Sequence, residues 1–321
     1  MLYLSSLKPT RLSSAHTQAH PLVVNLPALF NQFIYMRFYF LIIILGVFCS
    51  SMQSQADSIL IEGHQRTFHY VLPDVIKAKA SLVFILHGSG GSGPGQMKTT
   101  QNFIKSVSNE NVILVYPTGY KNYWNECRKI ASSLANTENI NEEAFFTGMI
   151  DYFKSKYKIN TKKVFAVGTS GGGHMCYKLA LTMPDKITAI IAIIANLPDD
   201  DNMDCTEAHK AIPVMIVNGT ADQTNPYNGG FMGSPTFTMG NVRSTDRSFH
   251  YWSDLAGYTG DPVKSLYPDT DPNDGKTIER YTFKSKKKPE VTLLKVIGGK
   301  HDYPGDIDVH LEAWQFFKRC K

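Results

Sequence analysis

Cysteine is scarce in this chain, with five among 321 residues. No C-x-x-C pair or histidine–cysteine cluster occurs, so no metal site is expected. The acidic loop Asp199–Asp201 with Asp204 lacks the alternating ligand pattern of a calcium loop, and is read as solvated. No G-K-[ST] ending follows a glycine-rich loop, and no G-x-G-x-x-G opens a helix, which argues against a nucleotide cofactor. Long apolar runs are also missing. The longest, Phe38–Phe48, is too short to cross a bilayer, so no stable membrane anchor is expected. Charge of one sign is not in excess: residues 57–321 hold 30 basic and 28 acidic side chains. That near-balance speaks against nucleic acid as a partner. Lys284 with Lys286, Lys287 and Lys288 is a local basic cluster, read as a solvated turn. There is no internal repeat.

Residues 1–56 contain no acidic residue, only Lys8, Arg11 and Arg37 as charges. Arg37 followed by the Phe38–Phe48 run has the form of a signal peptide. Ser54-Gln55-Ala56 supplies a small-x-small cleavage site, so the mature chain is expected to start near Asp57 and to be exported, into a periplasm or the medium. Phe48 before Cys49 argues against a lipoprotein. The expected organisation is an N-terminal extension over 1–35 that is non-native or disordered, with translation starting at Met36. A signal peptide over 36–56 and one single domain over 57–321 follow. Oxidation would pair Cys127, Cys176, Cys205 and Cys320 in one of three ways, which the sequence leaves open.

Within 57–321, apolar runs alternate with helical patterns. Ser58–Glu62 and Arg66–Leu72 read as strands, as do Leu82–Leu86, Val112–Tyr116, Val164–Val167, Ile187–Ala195, Val214–Asn218 and Val291–Val296. Asn141-Glu142-Glu143 opens a helix, Ser244–Ala256 forms another, and Asp306 is expected to cap the last. Alternation of this kind predicts a mostly parallel central sheet with helices on both faces.

One stretch organises the rest. Val164–Val167 runs into Gly168-Thr169-Ser170-Gly171-Gly172, and a helix with Met175, Cys176, Leu179 and Ala180 on one face follows. A strand, a sharp G-x-S-x-G turn and a helix form the nucleophile elbow of an α/β-hydrolase. A serine hydroxyl needs a base, and the base needs a carboxylate to fix its tautomer. In this fold the chain order is Ser, Asp, His. Asp222 follows the strand Val214–Asn218, and His301 follows the last strand, so Ser170, Asp222 and His301 are the expected triad. His87, His174, His250 and His310 are read as bracing, packing or surface residues. The loop His87–Gly93 follows a central strand and would supply one oxyanion donor. The Ser89 N–H is the first choice, with Gly88 or Gly90 as alternatives, and the Gly171 N–H is the second donor. Tyr123, Trp124 and Asn125 lie on a loop that either lines the cleft or plugs the core.

These motifs together carry a resemblance. HGSGGSG at 87–93, GTSGG at 168–172, NGTADQTNPYNGG at 218–230, PDTDPNDGKTIERYTF at 268–283 and GGKHDYPG at 298–305 resemble the poly(3-hydroxybutyrate) depolymerase-like esterases. That group includes feruloyl and acetylxylan esterases. The resemblance covers about residues 60–320. It implies a secreted, metal-free serine esterase with Ser170 as nucleophile, Asp222 as acid and His301 as base, and with Trp124 and Asn125 lining the cleft. Gly171 stands where the family often has Asn. Lys300, Asp302 and Tyr303 replace Gly, Thr and Trp of its histidine motif, which makes Tyr303 a third substrate-side position. With only twenty residues after His301, soluble esters, hydroxyalkanoate oligomers or decorated polysaccharide are the expected substrates rather than crystalline polyester. A serine peptidase and a non-catalytic binding protein of the same fold are the rivals.

Overall fold

The computed structural model describes residues 54–320 apart from Pro235. The expected N-terminal extension and nearly all of the expected signal peptide lie outside the described residues. In chain order the elements are β1 (Gln55–Ile61), β2 (His64–Val71), β3 (Ser81–Leu86), α1 (Gly93–Thr99), α2 (Gln101–Ser106), β4 (Val112–Pro117), α3 (Leu134–Thr137) and α4 (Glu142–Tyr157). Then come β5 (Val164–Thr169), α5 (Gly171–Thr182), β6 (Ala189–Ile193), β7 (Val214–Gly219), β8 (Gly230–Ser234) and β9 (Phe237–Val242). The chain continues through α6 (Thr245–Leu255), β10 (Val263–Leu266), β11 (Thr277–Phe283), β12 (Val291–Ile297) and α7 (Val309–Arg319).

Ten strands form one sheet in the order β1-β2-β4-β3-β5-β6-β7-β12-β11-β10. From β4 to β12 every neighbouring pair is parallel. Antiparallel strands close both edges. The centre is parallel because β3, β4, β6 and β7 are apolar on both faces, with every residue buried. Only a sheet covered on both sides can hide such strands. One face carries Leu82, Phe84 and Leu86 against Phe146, Met149 and Phe153 of α4, Met175 and Leu179 of α5, and Trp252 of α6. The other carries Val83 and Ile85 with Phe103 of α2 and Trp314 and Phe317 of α7. This is the doubly covered, mostly parallel sheet that the alternating pattern predicts.

The structure adds what the pattern did not indicate. β10 and β11 extend the sheet past β12, and β8 and β9 form a separate hairpin. All four residues of β10 are exposed, so no alternation marks it. The last helix is capped by Asp308, whose carboxylate accepts from the His310 and Leu311 N–H groups. Asp306, the expected cap, instead accepts from the N–H and hydroxyl of Thr270 at 2.7 and 2.9 Å. β1 begins at Gln55, paired with Tyr70. The expected cleavage after Ala56 therefore falls inside this strand.

Candidate active site

Four strand ends build the site. β5 delivers Ser170 at φ 54°, ψ −118°, a left-handed conformation that a serine adopts only when its surroundings enforce it. The Ser170 N–H donates to the Ile193 carbonyl at 2.8 Å, and its carbonyl accepts from the His174 N–H at 3.0 Å. The flanking glycines allow the approach. A Cβ on Gly168 would lie 2.2 Å from the Gly172 carbonyl oxygen, and one on Gly172 would lie 2.4 Å from that of Leu86.

β7 delivers the expected acid. Asp222 Oδ1 accepts from the N–H groups of Thr224 and Asn225, both at 2.8 Å. Its other oxygen lies 2.7 Å from His301 Nδ1, and the Asp222 side chain is 1% exposed. The loop after β12 delivers the expected base, with His301 Nε2 3.0 Å from Ser170 Oγ. A ring nitrogen facing a carboxylate carries the proton, which leaves the Nε2 lone pair for the serine hydroxyl. The two loops are locked to each other. The Ala221 N–H donates to the Gly299 carbonyl at 2.8 Å, and the Gly298 N–H to Thr220 Oγ1 at 2.9 Å. The segment before β11 supports them from outside, with Thr270 on Asp306 and Lys276 Nζ on Asp302 at 2.9 Å. The structure thus brings Ser170, Asp222 and His301 together in one hydrogen-bonded line.

The loop after β3 faces the serine. A Cβ on Gly171 would lie 2.9 Å from the Ser89 nitrogen and 2.6 Å from its hydroxyl. Ser89 and Gly171 are therefore packed face to face at the start of α5, whose first N–H groups have no partner inside the helix. Gly90, one of the alternatives, donates its N–H to the Asn122 carbonyl at 2.9 Å. Among the described residues nothing accepts from the Ser89 N–H. His87 holds the loop from below. Its Nε2 accepts from the Gly119 N–H at 2.9 Å, and its Nδ1 donates to the Gly88 carbonyl at 2.7 Å. Burial lowers its pKa, which keeps the ring in the neutral form that this donor–acceptor pairing needs.

The expected substrate-side residues separate into two groups. Trp124 and Asn125 lie beneath the His87–Gly93 loop and not on an open cleft wall. Trp124 is 3% exposed and donates from Nε1 to the His87 carbonyl at 2.9 Å. Asn125 is 7% exposed, and its Nδ2 donates to the Ile140 carbonyl and Asn139 Oδ1 at 2.9 and 3.0 Å. Both use their polar groups to hold protein, so of the two readings of this loop the core plug describes them. Tyr303, 37% exposed, stands at the rim, its hydroxyl 2.7 Å from Thr169 Oγ1.

Sequence reasoning missed a buried ion pair under this loop. Arg66 meets Glu142 at 2.8 Å, and Glu142 also accepts from the Asn125 N–H. Burial raises the Glu142 pKa against the pull of Arg66. Its place as a helix-start acid was readable, its partner across 76 residues was not. Also missed was the contact between Tyr123 and Phe237 of β9, ring centres 5.5 Å apart, which ties the hairpin to the loop after β4. Cys127 and Cys205 form a disulfide, and Cys176 and Cys320 are free and buried. One bridge therefore stands where the sequence allowed two, and Cys176 is a small core residue on the buried face of α5.

Comparison with known proteins agrees with this architecture. Feruloyl esterase B from Neurospora crassa is 29% identical over 143 residues, 44% of this chain and 47% of that one. Feruloyl esterase B from Piromyces equi is 24% identical over 246 residues, 75% of this chain and 42% of that one. The chain thus spans less than half the length of these relatives. Among solved structures, acetyl xylan esterase from Aspergillus awamori superposes with a TM-score of 0.56 over 82% of this chain and 99% of that one, at 14% identity, a likeness of fold. The family model for phospholipases and carboxylesterases matches residues 71–253, from the end of β2 through Ser170 and Asp222 into α6. On that match and on its sheet, the chain belongs to the phospholipase/carboxylesterase family of the α/β-hydrolase fold.

Proposed function

We propose that the chain is an exported carboxylic ester hydrolase working through Ser170, His301 and Asp222. The observation that carries this is the hydrogen-bonded line from Asp222 Oδ2 through His301 to Ser170 Oγ, at 2.7 and 3.0 Å. Ser170 Oγ attacks the ester carbonyl while His301 Nε2 takes its proton. Asp222 holds the ring and stabilises its positive charge. The Gly171 and Ser89 N–H groups receive the oxyanion, each contributing about 3 kcal/mol to the barrier reduction. His301 then protonates the leaving alcohol, and a water repeats the cycle on the acyl-enzyme. No step requires a metal or cofactor.

The names of these proteins, feruloyl esterase and acetyl xylan esterase, support feruloyl esters or acetyl esters of xylan as the substrate class, ahead of hydroxyalkanoate oligomers. Export is supported by the Cys127–Cys205 disulfide, which persists in oxidising compartments. The test is hydrolysis by the purified chain of short nitrophenyl esters, methyl ferulate, acetylated xylan and hydroxybutyrate oligomers, with a matched amide beside one ester. Ser170→Ala should lower kcat by about 10⁵-fold or more without lowering the melting temperature. Full activity in the folded variant would sink the assignment.

A further inference from the structure

The parallel strands have a second end. The segments entering β5, β6, β7 and β12, together with the end of α7, surround a groove of about 750 Å³. The catalytic groups leave the opposite ends of the same sheet, roughly 20 Å away at about 3.3 Å per strand residue. The groove collects the four lysines of 284–288, which are neighbours in sequence, and adds Lys162, Lys210 and Arg319 from three other segments. Among the described residues its only acids are Asp185 and Glu290. The lining therefore carries a side-chain charge of +5. Residues 57–321 carry +2 in total, so the remainder of that region is at −3. The positive charge is concentrated in one place.

Both acids are engaged. Glu290 holds Lys284 at 2.8 Å and Arg319 at 2.9 Å, and Asp185 holds Lys210. Lys162, Lys286 and Lys287 have no carboxylate partner among the described residues, and Lys288 donates to the Gly257 carbonyl. The lining contains no aromatic residue, so it offers no platform on which nucleic-acid bases would stack. It is concave, and among the described residues none of the exposed large apolar side chains lies in it, which does not suit a bilayer surface. Six of the seven cations are lysines, mobile point charges rather than rigid forks. They suit anionic groups repeated along a flexible chain more than one fixed phosphate.

We propose that this groove binds a linear anionic polysaccharide through its carboxylate or sulfate groups, and so anchors the protein to a matrix while the far end of the sheet remains free. The proposal does not depend on the esterase assignment. Its test uses ester-free polygalacturonate and heparin as probes for the two anions, neutral xylan as the control, and RNA and anionic phospholipid vesicles as competitors of other classes. The wild-type chain should bind at least one anionic polysaccharide at low salt and release it as ionic strength rises. Lys286→Glu with Lys287→Glu should weaken that binding at least 10-fold, with melting temperature and turnover of a small soluble ester unchanged. Equal binding by variant and wild type, or none by the wild type, would overturn the groove. Tighter binding to RNA or vesicles than to polygalacturonate and heparin would overturn the ligand class.

Discussion

At the carboxyl ends of β5, β7 and β12 each polar side chain has one place to be. Asp222 is gripped by two backbone N–H groups, His301 by Asp222, and Ser170 by a backbone conformation that its neighbours impose. At the amino ends of the same strands, long lysines surround a groove, three of them without a carboxylate partner among the described residues. The first arrangement orients groups to a fraction of an ångström, as bond-making requires. The second concentrates charge and leaves its bearers mobile. Losing one group should therefore be severe at the first end and mild at the second.

After loss of Ser170 itself, the largest expected effect is at Asp222. Asp222→Asn keeps the shape but hands His301 the wrong tautomer, and kcat should fall about 10⁴-fold. Stopped assays at high enzyme concentration will measure it, and a loss under tenfold would mean that Asp222 does not orient the base. Next comes the disulfide. Cys127 and Cys205 are 78 residues apart, and closing a loop of that length stabilises by roughly 4 kcal/mol in the chain-entropy account. Cys205→Ser should shift the urea unfolding midpoint accordingly.

The smallest effect appears on acidification. His310 is buried between the Phe103 and Tyr303 rings, and burial pushes its pKa down from 6.5 to about 4. The unfolded chain takes up this proton near pH 6.5, and the folded chain only near pH 4. Stability is therefore fully present above pH 6.5 and falls as pH drops through that window, by about 1.4 kcal/mol per unit for this group. His310→Phe should flatten the slope of unfolding free energy between pH 6 and 4.5 by about one proton. An unchanged slope would place the acid sensitivity elsewhere, with buried His174 as the next residue to replace.

The site was more legible than its surroundings. Ser170 was readable because the elbow is local: a buried strand, a turn crowded enough to need glycine, and a helix, all within twenty residues. Asp222 and His301 were readable because a parallel sheet sends its strand-end loops to one side. Trp124 was ambiguous because an aromatic on a loop looks the same above the loop as below it. Its bond to the His87 carbonyl exists only once two distant loops meet. β8 and β10 gave no pattern because a hairpin strand and an edge strand hide too little surface to need alternation.

The amino-acid sequence by itself determined the doubly covered parallel sheet, the elbow and the chain order of Ser170, Asp222 and His301. Apolar periodicity and close-approach glycines are properties of neighbouring residues. Only the tertiary structure decided the Cys127–Cys205 pairing, the buried Arg66–Glu142 pair, the placing of Trp124 and Asn125 under the His87–Gly93 loop, and the gathering of lysines from separate segments into one groove. Each of these depends on which strand ends lie side by side, and that order is set by packing across the whole sheet.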